Sequence, residues 1–566
     1  MTSAPLEQAI AERLALWDRE RVADRLWARD ASLWSESGKP PNEVSAWLGW
    51  LDLPDGMASQ ADEIGRLARE VRADGYTRAA VLGMGGSSLA PELFGRAFGA
   101  PGGEPATPGG LELRILDSTH PDAVRGFREW AQSARTLFCV SSKSGSTTEP
   151  NAFHAAMADF APALDFVAIT DPGSSLAELA RAQEFRAIVD GRPDVGGRYS
   201  ALSAFGLLPA ALHGVDLEML LASAAAMAGA CRAGAPDNPG LSLGAWMGEA
   251  ARAGRDKLTM LVSPRLASFG DWAEQLIAES TGKAGVGIVP VVGEPLREPR
   301  DYGDDRCFVL MTTAGELVAD QHRLADGLEA AGHPVLRLEI PDAHALGGEF
   351  VRWEVATAAA GMVLGIDPFD QPNVQESKDA TRDLLEAYRR HGSLPSPAPL
   401  VAEPGAAAYA LADALRDTPV SVDGALRSLL ETIDAGDYFA ILAYLPQDNG
   451  TQERLQALRA RIGESLGVAT TLGFGPRFLH STGQLHKGGP DTGVFLQLTA
   501  EPRRDLPIPG WEETFGVLVA AQALGDLESL QRRGRRVLRL HFTEPDTVLE
   551  RLSGLLERAM PTSVRA

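Results

Sequence analysis

The stretch AAVLGMGGSSLAPELFGRAF, residues 79–98, decides how the rest of the chain is read. It opens with a continuous apolar run, AAVLG (79–83), breaks at a glycine-rich turn and continues into a helix through PELFGRAF. An apolar run without polar alternation fits a strand buried on both faces, and a helix straight after it fits a parallel sheet. The pattern then repeats. LRILDS (113–118) reads as a second strand, followed by a helix from Pro121 to Ala134. TLFCVSS (136–142) is a third, ended by a Ser/Thr/Gly loop and a helix near Asn151 to Phe160, and FVAITD (166–171) is a fourth. Continuous apolar strands alternating with helices specify an α/β fold with doubly wound parallel sheets flanked by helices.

Working outward, the first 75 residues read as helical, with Leu14, Trp17, Leu26 and Trp27 recurring at helix-like spacing among charges. Beyond Pro239 the strand–helix alternation restarts with KLTMLVS (257–263), CFVLMTT (307–313) and PVLRLEI (334–340). SLPSPAPLVAEPG (393–405) is rich in proline and small residues and reads as a linker. After it come YFAILAYL (438–445), VATTLGF (468–474), VFLQLT (494–499) and RVLRLHF (536–542). The expected organisation is an N-terminal helical segment (1–75), an α/β domain (76–239), a second (240–392), the linker (393–405) and a C-terminal α/β segment (406–566).

A chain of 566 residues with a formal net charge of −23 is large enough for several cores and a poor candidate for binding nucleic acid or an anionic membrane surface. The three cysteines, Cys139, Cys231 and Cys307, form no disulfide framework and have no zinc-ligand spacing, which fits a reducing compartment. The N-terminal residues carry no signal-peptide pattern, and the apolar stretches fall short of a membrane span. A cytoplasmic protein is expected, with no metal, no cofactor, no nucleic-acid partner and no membrane partner.

Two loops lie where ligands bind in parallel sheets, outside the carboxyl ends of the strands. In GMGGSSLAP (83–91) the glycines allow close backbone approach and the helix start presents free N–H groups. A tight packing turn explains that loop equally well, and a dinucleotide fingerprint lacks its third glycine. SSKSGSTTEPN (141–151) crowds hydroxyls, a lysine and a glycine between a strand and a helix. That density suits a phosphate dianion; the plainer reading is an elaborate N-cap. No G-K-[ST] sequence makes it a nucleotide-hydrolysing loop.

Four further stretches carry a resemblance: GGRYSALSAFGLLP (196–209), QLIAESTGK (275–283), PFDQPNVQESK (368–378) and FLHSTGQ (478–484). With the two phosphate loops they resemble the sugar isomerase domains and signature motifs of the glucose-6-phosphate isomerase family. The likeness is greatest to the isomerase part of bacterial transaldolase–glucose-6-phosphate isomerase fusions. The resemblance implies two sugar-isomerase-type domains plus the C-terminal segment, and interconversion of glucose 6-phosphate and fructose 6-phosphate through a cis-enediolate. It also implies a small-molecule sugar phosphate as partner and a homodimer. A dual-specificity enzyme that also takes mannose 6-phosphate, and a non-catalytic sugar-phosphate sensor, are the alternatives.

Residue by residue, the resemblance implies that Gly86 and Ser87 line the sugar or phosphate, and that Ser142, Lys143, Ser144 and Thr147 bind the phosphate. It implies that Gln275 positions the substrate, that Glu279 moves a proton between C2 and C1, and that Arg198 stabilises the enediolate. His480 and Lys378 are implied to open and close the ring, with Gln371 beside them. The chemistry is coherent: the reaction needs a carboxylate base, a permanent cation for the developing oxyanion, and a group that exchanges protons near neutrality. Two departures stand out. In the family the histidine motif lies between the glutamate and lysine motifs, whereas FLHSTGQ follows Lys378 here; and PNVQ replaces a glycine-valine-glutamate core. His322, His333 and His344 occupy the interval where the family's histidine is expected. In the family that histidine comes from the neighbouring subunit, so His480 reaches the site either across an interface or within its own chain.

Overall fold

The computed structural model describes residues 4–99, 105, 107–316 and 318–559. Among the described residues fifteen strands form three sheets. The first contains β1 (Arg78–Leu82), β2 (Glu112–Leu116), β3 (Thr136–Ser141), β4 (Phe166–Thr170) and β5 (Ala187–Asp190), in the order β2-β1-β3-β4-β5. All its neighbours run parallel, and every residue of the central β3 is buried, as its unbroken apolar run requires. The second sheet, also parallel, contains β6 (Lys257–Val262), β7 (Val289–Val292), β8 (Arg306–Thr313) and β9 (Val335–Ile340), in the order β7-β6-β8-β9.

The third sheet contains β10 (Val401–Glu403), β11 (Ala406–Tyr409), β12 (Tyr438–Tyr444), β13 (Ala469–Phe474), β14 (Gly493–Ala500) and β15 (Arg536–Phe542). Its order is β10-β11-β15-β14-β12-β13. The four strands β12–β15 are parallel, and β10–β11 is an antiparallel hairpin added at the β15 edge.

The fold is therefore the α/β, parallel-sheet architecture read from residues 79–171. Four strands were not legible. β5 is short and only half-buried, so it lacks an apolar run. β7 contains Pro290, which a sheet tolerates because β7 is an edge strand. β10 lies inside the proline-rich 393–405 stretch, where Val401–Glu403 pairs with β11 across Pro404-Gly405. Gly405 turns the chain there with φ +80°.

The C-terminal unit is packed against the others along several seams. Its helix Phe515–Arg532 covers one face of the first sheet beside the helix Pro372–His391, so Phe515, Leu518 and Leu524 share a core with Phe138, Val140 and Leu384. Between the second and third sheets, the carboxylate of Glu294, just after β7, accepts hydrogen bonds from the Thr470 N–H of β13 (2.9 Å) and from its hydroxyl (3.0 Å). Glu294 also pairs with Arg306 at 2.6 Å and Arg297 at 2.9 Å. Burial pushes its carboxyl up, but the surrounding arginines outweigh this and hold it below its ordinary range. All three cysteines are buried and unpaired. Among the described residues no helix is long and apolar enough to cross a membrane, and no group of three or more His, Cys, Asp and Glu is disposed to hold a metal ion.

Candidate active site

Loops from the carboxyl ends of β1, β3 and β13 meet the helix Ala267–Thr281, which follows β6. The glycine turn after β1 is the floor. Gly85 has φ +54°, and a Cβ there would lie 2.8 Å from Gln275 Nε2 and 3.0 Å from the His480 carbonyl oxygen. A Cβ on Gly86 would lie 1.9 Å from the Gly197 carbonyl oxygen, one residue before Arg198. The two glycines thus admit the helix Ala267–Thr281, the histidine loop and the arginine turn to one point. Ser87 sits half-buried beside them.

Gln275 and Glu279 are one turn apart on one helix face, and Gln275 Nε2 donates to Glu279 Oε2 at 3.1 Å and to the His480 carbonyl at 2.8 Å. The carbonyl oxygen of Gln275 is buried without a partner among the described residues. A buried acceptor left open in this way is suited to a substrate hydroxyl.

Arg198 is buried to 3% exposure. Its Nε donates to Ser280 Oγ at 2.7 Å, one Nη1 hydrogen goes to Gln371 Oε1 at 2.9 Å, and Nη2 serves the carbonyls of Pro368 (2.7 Å) and Asp370 (3.0 Å). A guanidinium has five N–H donors, so one Nη1 hydrogen is left. Nη1 lies 3.5 Å from Glu279 Oε1, so a fixed cation stands beside the carboxylate. Gln371 is held by Arg198 at the head of the helix Pro372–His391, which carries Lys378.

His480 ends the short turn Arg477–His480 after β13, and its Nε2 lies 3.0 Å from Glu149 Oε1. Glu149 is buried at 5% exposure. Burial pushes its carboxyl up, but the charge and hydrogen bond of His480, with a contribution from the charge of Lys378, outweigh it and hold the group below its ordinary value. Gln522 Nε2 donates to the same oxygen at 2.7 Å, and Gln522 Oε1 accepts from Thr119 at 2.6 Å, which fixes the amide orientation. Lys378 is exposed and has no hydrogen-bond partner among the described residues.

In the second loop, Ser142 is buried and its hydroxyl accepts from the Gly145 N–H at 3.2 Å and donates to Thr147 Oγ1 at 3.3 Å. Ser144 is exposed and shares a 2.9 Å hydroxyl contact with Ser146. Thr147 stands at the N-cap of the helix Thr148–Ala158 yet makes no side-chain cap bond. The cap reading therefore leaves the helix N–H groups and the Thr147 hydroxyl without their usual mutual bond. Lys143 is different: its ammonium is held by Asp171 at 2.5 Å and by the carbonyls of Arg192 (2.9 Å) and Pro193 (3.2 Å), so its side chain is directed to the loop's framework.

Of the other histidines, His322 is exposed on a helix, His333 is buried edge-on against Phe308, and His344 packs on Phe98. His480 reaches Glu149 and Gln275 within its own chain. Sequence reasoning passed over Glu149. A carboxylate in a loop suited to a dianion is electrostatically out of place unless a cation faces it, and that misfit was the available signal. It also passed over Gln484, which is fully buried. Gln484 donates to the Gly282 carbonyl (2.9 Å) and to Asn373 Oδ1 (2.7 Å), and accepts from the Asn373 N–H (2.8 Å). The departure at PNVQ thus supplies a partner for the histidine-bearing unit.

No protein-family model matches the sequence. A curated glucose-6-phosphate isomerase from Rubrobacter xylanophilus is 32% identical over 365 residues, covering 56% of this chain and 84% of that protein. One from Thermosynechococcus vestitus is 35% identical over 432 residues, covering 68% of this chain and 79% of that protein. Among solved structures, a hypothetical protein from Thermus thermophilus aligns at TM-score 0.56 and 25% identity, covering 68% of this chain and 99% of that one. A glucose-6-phosphate isomerase from Chlamydia trachomatis aligns at TM-score 0.50 and 19% identity over 65% of this chain and 78% of its own, a likeness of fold. With a relative above 30% identity matched over most of its length and a geometry that gathers the signature residues, the chain belongs to the glucose-6-phosphate isomerase family.

Proposed function

We propose that this chain interconverts glucose 6-phosphate and fructose 6-phosphate. The observation that carries the reading is the Glu279–Arg198 pair: a carboxylate with a permanent guanidinium 3.5 Å away, in a pocket floored by glycines. Glu279 takes the proton from C2 of the open-chain aldose. The enediolate that forms places its negative charge near the remaining Nη1 hydrogen of Arg198, and Glu279 returns the proton to C1. A guanidinium suits this role because its charge does not depend on pH.

Ring opening precedes this step. His480, with Glu149 as acceptor behind it, exchanges a proton with the ring oxygen or the C1 hydroxyl, and Lys378, whose charge acts on the same Glu149, assists this exchange. Gly86, Ser87, Ser142, Ser144 and Thr147 take the phosphate through hydroxyls and backbone N–H groups, while Lys143 braces the loop. Gln275 and Gln371 orient the sugar hydroxyls.

The proposed division of the chain keeps a helical segment (1–75), two sugar isomerase domains (76–239 and 240–392) and a C-terminal α/β unit (406–566). The proposed setting is the cytoplasm. The proposed homodimer brings together two sites that each have their own histidine.

The test is a coupled assay of purified protein with fructose 6-phosphate and a glucose-6-phosphate dehydrogenase, for the wild type and Glu279→Gln. The wild type is expected to turn over, and Glu279→Gln to lose turnover while still binding sugar phosphate. An inactive wild type, or a fully active Glu279→Gln, overturns the proposal.

A further inference from the structure

The mechanism leaves Arg477 without a role. Arg477 lies three residues before His480 on the same short turn. Its guanidinium pairs with Glu92 and, at 3.2 Å, with Asp117. Glu92 sits on the helix Leu89–Phe98 that follows the Gly85-Gly86 turn, and Asp117 directly follows β2. Asp271, on the helix that carries Glu279, adds its charge to the same cluster. Burial works against the guanidinium's charge, but Asp117, Glu92 and Asp271 outweigh it and hold Arg477 firmly protonated. Arg477 is thus the point where the histidine loop of the C-terminal unit is tied to the glycine turn of the first sheet and faces the helix that carries Glu279. On the other side of His480, Gln484 makes the matching tie to Gly282 and Asn373.

A short turn anchored on one side only can pivot. Since His480 must meet both Glu149 and the ring oxygen, a displacement of about 1 Å costs on the order of a hundredfold. The two carboxylates suit an arginine, whose rigid planar guanidinium turns Nη2 toward Glu92 and Nη1 toward Asp117.

We propose that Arg477 is a positioning residue for ring opening, acting through His480 by clamping its turn to Glu92 and Asp117. The inference rests on the isomerase reading above, and its test separates the two. Two quantities are measured on the intact chain: the anomerisation rate of glucose 6-phosphate, by exchange spectroscopy, and the affinity for arabinonate 5-phosphate. The latter is an acyclic aldonate phosphate, so its binding needs no ring opening and, on the isomerase reading, calls on the phosphate loop, Arg198 and Gln275 rather than on His480. A wild type that does neither overturns the isomerase reading, whatever the variants do. In a competent wild-type background, Arg477→Gln is expected to lower anomerisation roughly ten- to a hundredfold and to leave the affinity within about threefold. Equal losses in both, or no loss in either, overturn the positioning role. If Arg477→Gln does not fold, Asp117→Asn, which keeps the Glu92 pair, carries the same comparison with a smaller loss in the same direction. An unchanged anomerisation rate in that variant overturns the proposal.

Discussion

His480 and Glu149, 331 positions apart in the chain, share a 3.0 Å hydrogen bond between the C-terminal unit and the first turn of the helix Thr148–Ala158 that follows β3. An ionised carboxylate can only accept, so Nε2–H is the donor. The imidazole is thereby fixed in one tautomer and orientation, with Nδ1 left as its second exchangeable site.

Glu149→Gln is expected to slow ring opening by roughly tenfold or more, because an oriented acid–base group contributes 10²–10⁴ and the substitution removes the charge that stabilises an imidazolium. Turnover of glucose 6-phosphate should fall while the affinity for an acyclic aldonate phosphate holds. The same residue makes a stability prediction. Its folded pKa lies below the ordinary 4.5, so its stabilising contribution is present above that value and is lost as pH falls through the lower folded value. Glu149→Gln should therefore narrow the difference in melting temperature between pH 6 and pH 3.

The phosphate loop is tested by Ser144→Ala combined with Thr147→Ala. Each charge-assisted hydrogen bond lost is worth about 1.5–3 kcal/mol, so KM should rise at least about tenfold. Inorganic phosphate should compete with substrate in the wild type and more weakly in the double variant. An unchanged KM would return the loop to the status of a helix cap.

Much of this was legible in the sequence and some was not. Strands buried on both faces announced themselves as apolar runs: β3 and β12 are buried at every residue. β5, β7, β10 and β11 lie at sheet edges or next to them, where packing asks for less apolar surface and tolerates Pro290. Within the site, Arg198, Gln275, Glu279, Gln371 and His480 lie in motifs whose residue types suggest their chemistry. Their mutual distances do not follow from the motifs. Gln522 and Arg477 act through tertiary contacts that nothing in their local sequence marks; Gln484 ends the FLHSTGQ motif without its partners being readable from it, and Glu149 shows only as a carboxylate in a stretch suited to an anion. The Asn373–Gln484 pair joins residues 111 apart, a relationship no local pattern contains.

A second pH effect comes from Glu274, beside the histidine turn. Burial, reinforced by Asp271, pushes its carboxyl up to about 8. A carboxyl whose folded pKa is raised holds a proton in the native state. Its contribution is fully present below the ordinary 4.5 and is lost as pH rises through about 8. Glu274→Gln, which mimics the protonated form, should raise the melting temperature relative to wild type by ~2 °C or more at pH 9 and change little at pH 4. Thermal melts of the two proteins across that range read this directly.

The central claim is that one chain builds the whole site, with Glu279 and Arg198 on the proton-transfer side and His480 brought by the C-terminal unit of the same chain. Mixing Glu279→Gln with His480→Ala, after unfolding and refolding together so that any dimers reassort, tests this most directly. If each site draws both residues from a single chain, every site in the mixture lacks one of them. Turnover of fructose 6-phosphate should then stay at the sum of the two inactive variants. Recovery toward about a quarter of wild-type activity, as shared sites in randomly reassorted dimers would give, would mean that His480 crosses an interface, and would contradict the account.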